Sequence, residues 1–427
     1  ADTSAFTLKR KSLFVWTVLF VGWLFDFLFW DKVPGISIAI FFIVMLGAGF
    51  FLARQQGLTP ARSTLWLLIP ILFFTAMTAL RLEPLTTFLN MSAAIFLMGL
   101  LSHSFLGGKW WQYRYKDYLT GSFFLGLDAL IRPITTLIGQ PKPENAEPDP
   151  EAAETSRRGL GSTLAILRGL LIALPIVLVF AAILAEADPI FDDLFGKVLD
   201  FFKIENLGEY IGRGFLILIV ANIVLGVILH AIYKNHDTDV NGENKRWLPA
   251  FLGMTESGII LGSVNLLFLA FVIIQFQYFF GGENNIQLDG FTYAEYARRG
   301  FAELVIVAVF SLLLFLGLSF LTRREQKRSQ GAFSALGILL FAQVTVILVS
   351  SLQRLLLYEQ AYGFSRLRTY THIFIFWLGG LLFAVSLLEL FRRQRYFALA
   401  TLAAAVGFAA TLNIVNVDAF IVQRAEQ

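Results

Sequence analysis

The sequence predicts an all-α, polytopic membrane protein, and two observations carry that prediction. Of its 427 residues, 57% are hydrophobic and 15% are charged, and the mean hydropathy is +0.68. Soluble domains are typically about 45–50% apolar and about 25% charged. The apolar residues also fall in runs long enough to cross a bilayer, which takes about 20 residues of helix. Because a helix in lipid satisfies its own backbone hydrogen bonds, we expect a transmembrane helix bundle.

About eleven apolar runs qualify as spans. The first follows a basic start like that of a signal peptide, but it is too long for one, so we expect it to be a retained span. An odd number of spans places the two termini on opposite sides of the membrane. The predicted spans are residues 13–30, 35–53, 64–81, 86–106, 162–185, 212–233, 257–280, 301–321, 332–353, 370–391 and 396–414.

The distribution of charge predicts the orientation. With a cytoplasmic N-terminus, the inner segments hold 23 of the 34 Lys and Arg residues, and the outer segments hold 17 of the 31 acids. Since cytoplasmic loops carry an excess of Lys and Arg, we expect the N-terminus inside and the C-terminus outside. Five arginines in outer segments go against this bias: Arg298, Arg299, Arg354, Arg366 and Arg368.

The longest segment without a predicted span divides the chain into three parts. We predict a four-span part at 1–106, a cytoplasmic segment at 107–161, and a seven-span part with outer polar segments at 162–427. The cytoplasmic segment combines SFFLGLDALIRPITTLIG, an amphipathic helix for the inner leaflet, with an acidic, Pro-rich linker. A second amphipathic helix is predicted on the outer side at 191–202.

Several kinds of chemistry are not expected. The chain has no cysteine, which excludes disulfides and thiolate ligands, and its four histidines do not form a helical i, i+4 metal pair. We therefore expect no metal and no cofactor. The expected partners are the lipid bilayer and either other membrane-protein subunits or anionic lipids, with no nucleic acid.

One polar segment precedes the eighth span. In a continuous helix, Glu295–Arg299 and Arg299–Glu303 are both i, i+4 pairs, and Arg298 lies beside them. Glu303 lies just inside the span, where a carboxylate needs a partner, and Arg299 is the nearest one in sequence. The segment is either a charged wall facing a cavity or a solvated interfacial helix that satisfies its own ion pairs.

A second segment lies between the ninth and tenth spans. Arg354, Tyr358 and Tyr362 share one helical stripe, and Gly363 turns the chain before two further arginines. Guanidiniums and phenols together suit a phosphate or carboxylate. The alternative is a belt of aromatic and arginine anchors at the interface. The candidate ligand-binding residues are Arg354, Tyr358, Tyr362, Arg366, Arg368 and His372.

Charge balance predicts an ion-pair network on the outer face. We expect the two arginine segments and the predicted outer helix to meet there and neutralise one another. Whether the network only closes the bundle or also holds a ligand is left open by the sequence. Its predicted members are Glu186, Asp188, Glu295, Arg298, Arg299, Glu303 and Asp418.

Four stretches carry a resemblance to a known group of proteins. They are ADPIF at 187–191, YAEYARRGFAEL at 293–304, YEQAYGFSRLR at 358–368 and NIVNVDAFIVQR at 413–424. Over residues 75–424 the chain resembles bacterial multi-pass proteins grouped as domains of unknown function, numbered four-one-five-three and four-one-seven-three. The resemblance implies a multi-pass protein of the inner (cytoplasmic) membrane. It implies no activity, ligand or catalytic residue.

Three functions follow, in order of preference. The first is a non-catalytic scaffold or accessory subunit of a membrane complex, which fits a chain without a catalytic pattern. The second is a binding or transport protein for an anionic small molecule or lipid head group. The third is an enzyme on a lipid-linked substrate, with Glu295, Glu303 or His372 as acid or base.

Overall fold

The computed structural model describes residues 8–81, 83–138, 207–233, 251–280, 301–323, 327–363, 365–415 and 417, with isolated positions at 177, 180, 184, 188 and 191. Within these residues the chain forms eleven α-helices and no strand beyond one isolated bridge. The helices are α1 (Lys11–Phe29), α2 (Ile36–Gln55), α3 (Leu68–Leu80), α4 (Pro84–His103), α5 (Tyr115–Ile138), α6 (Leu207–Tyr233), α7 (Met254–Phe280), α8 (Phe301–Leu321), α9 (Lys327–Tyr362), α10 (Arg366–Leu390) and α11 (Phe397–Ile414).

The predicted membrane bundle is confirmed at the level of its helices. In the described part of the chain, nine helices are long and apolar enough to cross a membrane. They are α1, α2, α4 and α6 to α11, and each coincides with a predicted span. The fold class is therefore that of a polytopic helical membrane protein.

Two predicted spans have a different outcome. The third, at 64–81, forms a 3-10 turn at Thr64–Leu67 and then α3, which has only 13 residues. Together the turn and α3 make one apolar helical stretch, Thr64–Leu80, which is shorter than the nine candidate spans. The Thr64 hydroxyl donates to the Ser104 carbonyl at 2.8 Å, which holds the chain in the turn. The fifth span, at 162–185, lies outside the described residues except at isolated positions, as does the predicted outer helix.

The chain divides into two compact units. The first unit is Ala1–Thr59 with Phe124–Tyr233, and the second is Pro60–Phe123 with Lys234–Gln427. The first contains α1, α2, α6 and the later part of α5; the second contains the remaining helices and the start of α5. The three-part division expected from sequence stays a prediction.

Close helix approach organises the first unit. A Cβ at Gly22 of α1 would lie 2.5 Å from the Ile217 carbonyl oxygen of α6, so only glycine allows this spacing. Phe25 of α1 meets Phe41 of α2 edge-on, with ring centroids 5.2 Å apart. Aromatic edges of this kind add packing beyond simple burial. The unit is therefore built on α1, with α6 on one side and α2 on another.

A phenylalanine cluster forms the core of the second unit. Phe315 of α8 is fully buried and contacts Phe333 and Phe341 of α9, with centroids 5.7 and 4.7 Å apart. Gly337 leaves room for it, since a Cβ there would lie 2.2 Å from the Phe315 ring. Phe397 of α11 joins the same cluster. The core thus fixes the end of α8 against α9 and α11.

Helix α5 confirms the predicted amphipathic segment. Its apolar residues, among them Leu119, Phe123, Phe124 and Leu130, are exposed. Its polar Asp128 and Arg132 are only one-fifth exposed. An apolar face open to the surroundings and a polar face turned to protein suit a helix at the membrane interface.

Candidate functional site

The predicted arginine–tyrosine cluster lies at the turn between α9 and α10. Helix α9 ends at Tyr362, and Gly363 has φ 74°, in the left-handed region that glycine adopts without strain. The Gly363 N–H donates to the Glu359 carbonyl at 2.7 Å and closes the last turn of α9. The turn brings the end of α9 beside the start of α10 at Arg366. The cluster is Arg354, Tyr358, Tyr362, Arg366, Arg368 and His372.

Arg368 joins the two helices in this cluster. Its guanidinium lies over the Tyr358 ring, 4.0 Å from the centroid, and donates to the Gly363 carbonyl. Tyr358 also meets Tyr362 edge-on at 5.0 Å and Phe301 of α8 at 6.2 Å. A cation over an aromatic face is stabilised by the ring, and a cation at a helix C-terminus is stabilised by the helix dipole. Arg368 therefore closes the hairpin.

Arg354 belongs to a polar group that reaches into the bundle. Its Nη2 lies 3.4 Å from Oε1 of Gln275 on α7. The same oxygen accepts a hydrogen bond from Ser350 at 2.6 Å, and Gln275 is buried. Since α7 and α9 share this group, Arg354 is half-buried rather than extended into solvent.

Glu359 is a cluster member that sequence reasoning missed. It is only 4% exposed, and its Oε1 lies 3.3 Å from Nδ1 of His372. The His372 Nδ1 also lies 3.2 Å from the Arg368 carbonyl, and because a carbonyl oxygen only accepts, Nδ1 is the donor there. The sequence did contain a signal that Glu359 belongs to the cluster. It is an acid between Tyr358 and Gly363, on a hairpin that carries three arginines. Chemically, the group combines guanidiniums for an anion with a buried carboxylate–imidazole pair.

The remaining predicted residues have mixed outcomes. Tyr362 and Arg366 are exposed at the edge of the cluster, and Glu303 is exposed in the first turn of α8. Asp188 is exposed, lies in the first unit, and accepts from the Phe191 N–H at 3.4 Å. The ion-pair network stays a prediction, because its other members lie outside the described residues: Glu186, Glu295, Arg298, Arg299 and Asp418.

The last resembling stretch begins with a buried amide pair. Asn413 of α11 and Asn90 of α4 exchange two hydrogen bonds, at 2.9 and 2.6 Å, and both are buried. Arg81, at the end of α3, donates to the Asn413 carbonyl from Nε at 3.2 Å and from Nη2 at 2.7 Å. Asn413 of α11 therefore meets two consecutive helices, α3 and α4, that lie more than 300 positions earlier in the chain.

A family model described as a domain of unknown function, DUF4153, matches residues 68–425. The chain belongs to the DUF4153 family. The match covers the arginine–tyrosine cluster and Asn413, and it supports the first of the two family numbers given above; the second number and a bacterial origin stay predictions. No curated protein and no solved structure matches the chain.

The DUF4153 chain also holds an ion pair that sequence reasoning missed. Asp26 of α1 is 3% exposed and accepts from Arg213 of α6 through both oxygens, at 3.1 Å from Nε and 2.7 Å from Nη2. Glu209 lies 3.7 Å from Arg213 and accepts from the Trp30 indole at 3.1 Å. Burying a carboxylate costs free energy unless the carboxylate is paired with a cation. Here Arg213 is that cation. Asp26 precedes the family match, whereas Arg213 lies within it.

A second missed group ties α5 to α6. His230 is fully buried, and its Nδ1 lies 2.6 Å from Oδ2 of Asp128, the oxygen that also meets Arg132 at 2.8 Å. The Arg132 guanidinium lies over the Tyr233 ring at 4.1 Å, and Asn222 donates to the Ala129 carbonyl at 3.2 Å. His230 lies within the predicted span at 212–233. Its carboxylate partner was not evident, because Asp128 lies 102 positions earlier.

Proposed function

We propose that this DUF4153 protein is a non-catalytic scaffold or accessory subunit of a membrane complex. The observation that carries the proposal is that polar side chains in the spans reach neighbouring helices of the same unit. Asn90 pairs with Asn413, and Gln343 donates to the Asn265 carbonyl at 3.1 Å. Such interhelical bonds hold a bundle in one geometry. A protein that presents a fixed surface to partners needs that rigidity, whereas a transporter needs helices that move.

The exposed surface supports the same role. One stripe of α1 carries Trp16, Phe20, Trp23 and Phe27, each about half exposed or more. Successive rings from Phe20 to Phe27 lie 5.9 and 5.6 Å apart. Large, stiff aromatic side chains give extensive contact at a low entropic cost. Such a stripe suits lipid or the transmembrane helix of another subunit.

A second candidate function has one specific observation in its favour. Arg354 and Tyr358 lie on one stripe of α9, and Arg368 stacks on that tyrosine from α10. Guanidiniums gathered beside phenols suit a phosphate or carboxylate. The cluster would then bind an anionic small molecule or lipid head group in addition to closing the hairpin.

One experiment separates the two functions. The protein is extracted from its native membrane in nanodiscs, sized, and analysed by mass spectrometry for bound chains and small molecules. The double variant Arg354→Gln/Arg368→Gln is compared with Arg54→Gln/Arg62→Gln, which removes two exposed cations outside the cluster. A scaffold is expected to carry the same partner chain at a constant ratio in all three preparations.

The other outcomes are equally informative. An anionic molecule that is present on the wild type and on the control variant, but absent from Arg354→Gln/Arg368→Gln, would establish the second candidate. A single chain that carries neither a partner nor an anion would contradict both functions.

A further inference from the structure

A cavity of about 330 Å³ opens in the second unit, where the start of α5 meets the end of α8 and the start of α11. The 3-10 turn before α11, Gln394–Tyr396, supplies one wall. We call it the basic cavity. The described residues that line it are Arg114, Tyr115, Lys116, Leu316, Ser319, Phe320, Gln394, Arg395, Phe397 and Ala398.

Three cations and no carboxylate occur among the described lining residues of the basic cavity. Arg395 donates a hydrogen bond to the amide oxygen of Gln112 at 2.7 Å. Because Gln112 is neutral, this bond does not neutralise the positive charge of Arg395. Asp117, one position beyond the lining, accepts from the Arg114 backbone N–H at 2.8 Å. That carboxylate therefore caps the start of α5. Positive charge without a lining acid favours an anionic occupant.

Part of the lining of the basic cavity is apolar. Leu316 and Phe320 lie on successive turns near the end of α8, and Phe320 is 40% exposed. Phe397 and Ala398 form the first turn of α11. Both helices are candidate spans, so this wall lies where spans end. A cavity lined by both cationic and apolar side chains matches an amphiphile with an anionic head and a hydrocarbon tail.

Tyr115 is a lining residue that two hydrogen bonds hold against α11. Its phenol lies 2.6 Å from the Thr401 hydroxyl and donates to the Phe397 carbonyl at 3.2 Å. Burial raises the pKa of Tyr115 from its usual value, and the hydrogen bond with Thr401 opposes that change only in part. The phenol consequently stays neutral well above physiological pH and adds no negative charge to the cavity.

We propose that the basic cavity binds the phosphate group of an anionic lipid, with Arg114, Lys116 and Arg395 on the phosphate and the apolar wall on the first part of the tail. Basic pockets between transmembrane helices suit acidic head groups in this way. A soluble phosphate ester offers the same head-group chemistry without the tail. The proposal does not depend on the scaffold role, and the site is separate from the arginine–tyrosine cluster.

The test begins with the full chain in detergent, titrated by native mass spectrometry with three probes. They are phosphatidylglycerol, phosphatidylcholine with the same acyl chains, and free glycerol phosphate. We expect phosphatidylglycerol to bind at least about tenfold more tightly than either alternative, and its advantage to fall as salt is raised, because screening weakens charge attraction. Equal binding of the two lipids would overturn the proposal. Equal competition by glycerol phosphate would overturn the lipid assignment.

Variants then locate the site. Each of Arg114→Gln, Lys116→Gln and Arg395→Gln should weaken phosphatidylglycerol binding by about fivefold, which corresponds to about 1 kcal/mol per basic residue. The matched controls Arg54→Gln, Arg62→Gln and Arg393→Gln each remove one exposed cation outside the cavity. An equal loss in the controls would mean general charge attraction and would refute a defined site.

A labelling experiment leaves the three cations intact. Because the chain has no cysteine, Gln394→Cys introduces a single thiol in the cavity wall, and Arg62→Cys introduces one outside it. Phosphatidylglycerol vesicles should slow maleimide labelling of the first thiol severalfold relative to phosphatidylcholine vesicles, and should leave the second unchanged. Identical rates for the first thiol in both vesicles would contradict occupancy of the cavity.

Discussion

At the scale of single residues, two pairs of polar side chains inside the apolar spans are matched across neighbouring helices. Asp26 and Arg213 form a two-oxygen ion pair across α1 and α6, although 187 positions separate them. Asn90 and Asn413 form a reciprocal amide pair across 323 positions. A sequence shows each polar group alone, because the distance between two groups depends on how the helices pack. Such pairs could therefore not be predicted from the sequence.

The ion pair gives a prediction at this scale. Asp26→Asn should lower the midpoint of thermal unfolding, because Arg213 keeps its charge and loses its carboxylate partner. The charge swap Asp26→Arg/Arg213→Asp should recover part of the loss. Thermal unfolding of the detergent-solubilised protein, followed by tryptophan fluorescence, measures both. Asp31→Asn is the control, since it removes an exposed acid a few residues away; an equal shift in the control would show that pairing is not the cause.

At the scale of helices, glycine positions decide how closely two elements approach. Gly226 of α6 is buried against α5, where a Cβ would lie 2.3 Å from Ala129 Cα and 2.4 Å from its carbonyl oxygen. These are backbone atoms and cannot rotate away. Gly214, on the same helix, has nothing within 4 Å of such a Cβ. The approach of α5 to α6 thus depends on one glycine and not on the other.

This contrast predicts opposite effects for the same substitution. Gly226→Ala should destabilise the protein by about 1–3 kcal/mol, because an overpacked contact forces the helices apart. Gly214→Ala should be neutral or stabilise by up to about 1 kcal/mol, because alanine favours helix. Urea unfolding of both variants provides the comparison. Stabilisation by Gly226→Ala would contradict the close contact.

The ends of helices show why element boundaries were harder to predict than elements. The ninth span was predicted at 332–353, where the apolar run ends, but α9 continues to Tyr362. Leu355 and Glu359 on the added turns are buried, so packing keeps them helical after the apolar pattern stops. The left-handed Gly363 then ends the helix. Hydropathy therefore locates the lipid-facing part of a helix, and packing and glycine set its end.

At the scale of the whole molecule, the orientation predicted from charge would assign both proposed binding regions to a side of the membrane. If the N-terminus is cytoplasmic, as the distribution of Lys and Arg predicts, the arginine–tyrosine cluster lies outside and the basic cavity inside. An anionic lipid at the basic cavity would then belong to the cytoplasmic leaflet. That leaflet carries a negative surface potential in many membranes.

Single thiols test this orientation, because the chain has no cysteine of its own. A membrane-impermeant maleimide applied to intact cells should label Asp31→Cys and Ser365→Cys, which lie in predicted outer segments. It should label Arg62→Cys and Arg393→Cys only after the membrane is permeabilised. The reverse labelling pattern would show that the orientation is opposite to the predicted one. If only one of the two predicted outer positions were labelled in intact cells, the predicted order of spans would be wrong.

Because the length and hydropathy of a span are local properties, the sequence correctly predicted a multi-pass helical membrane protein. It also identified the hairpin of Arg354, Tyr358 and Arg368 as unusual. The packing of the helices was needed to show that Glu359 lies beside His372, and that Asp26 meets Arg213. The basic cavity likewise needed three helices to converge on Arg114, Lys116 and Arg395. Contacts between distant segments depend on helix packing, and a single sequence carries no local record of that packing.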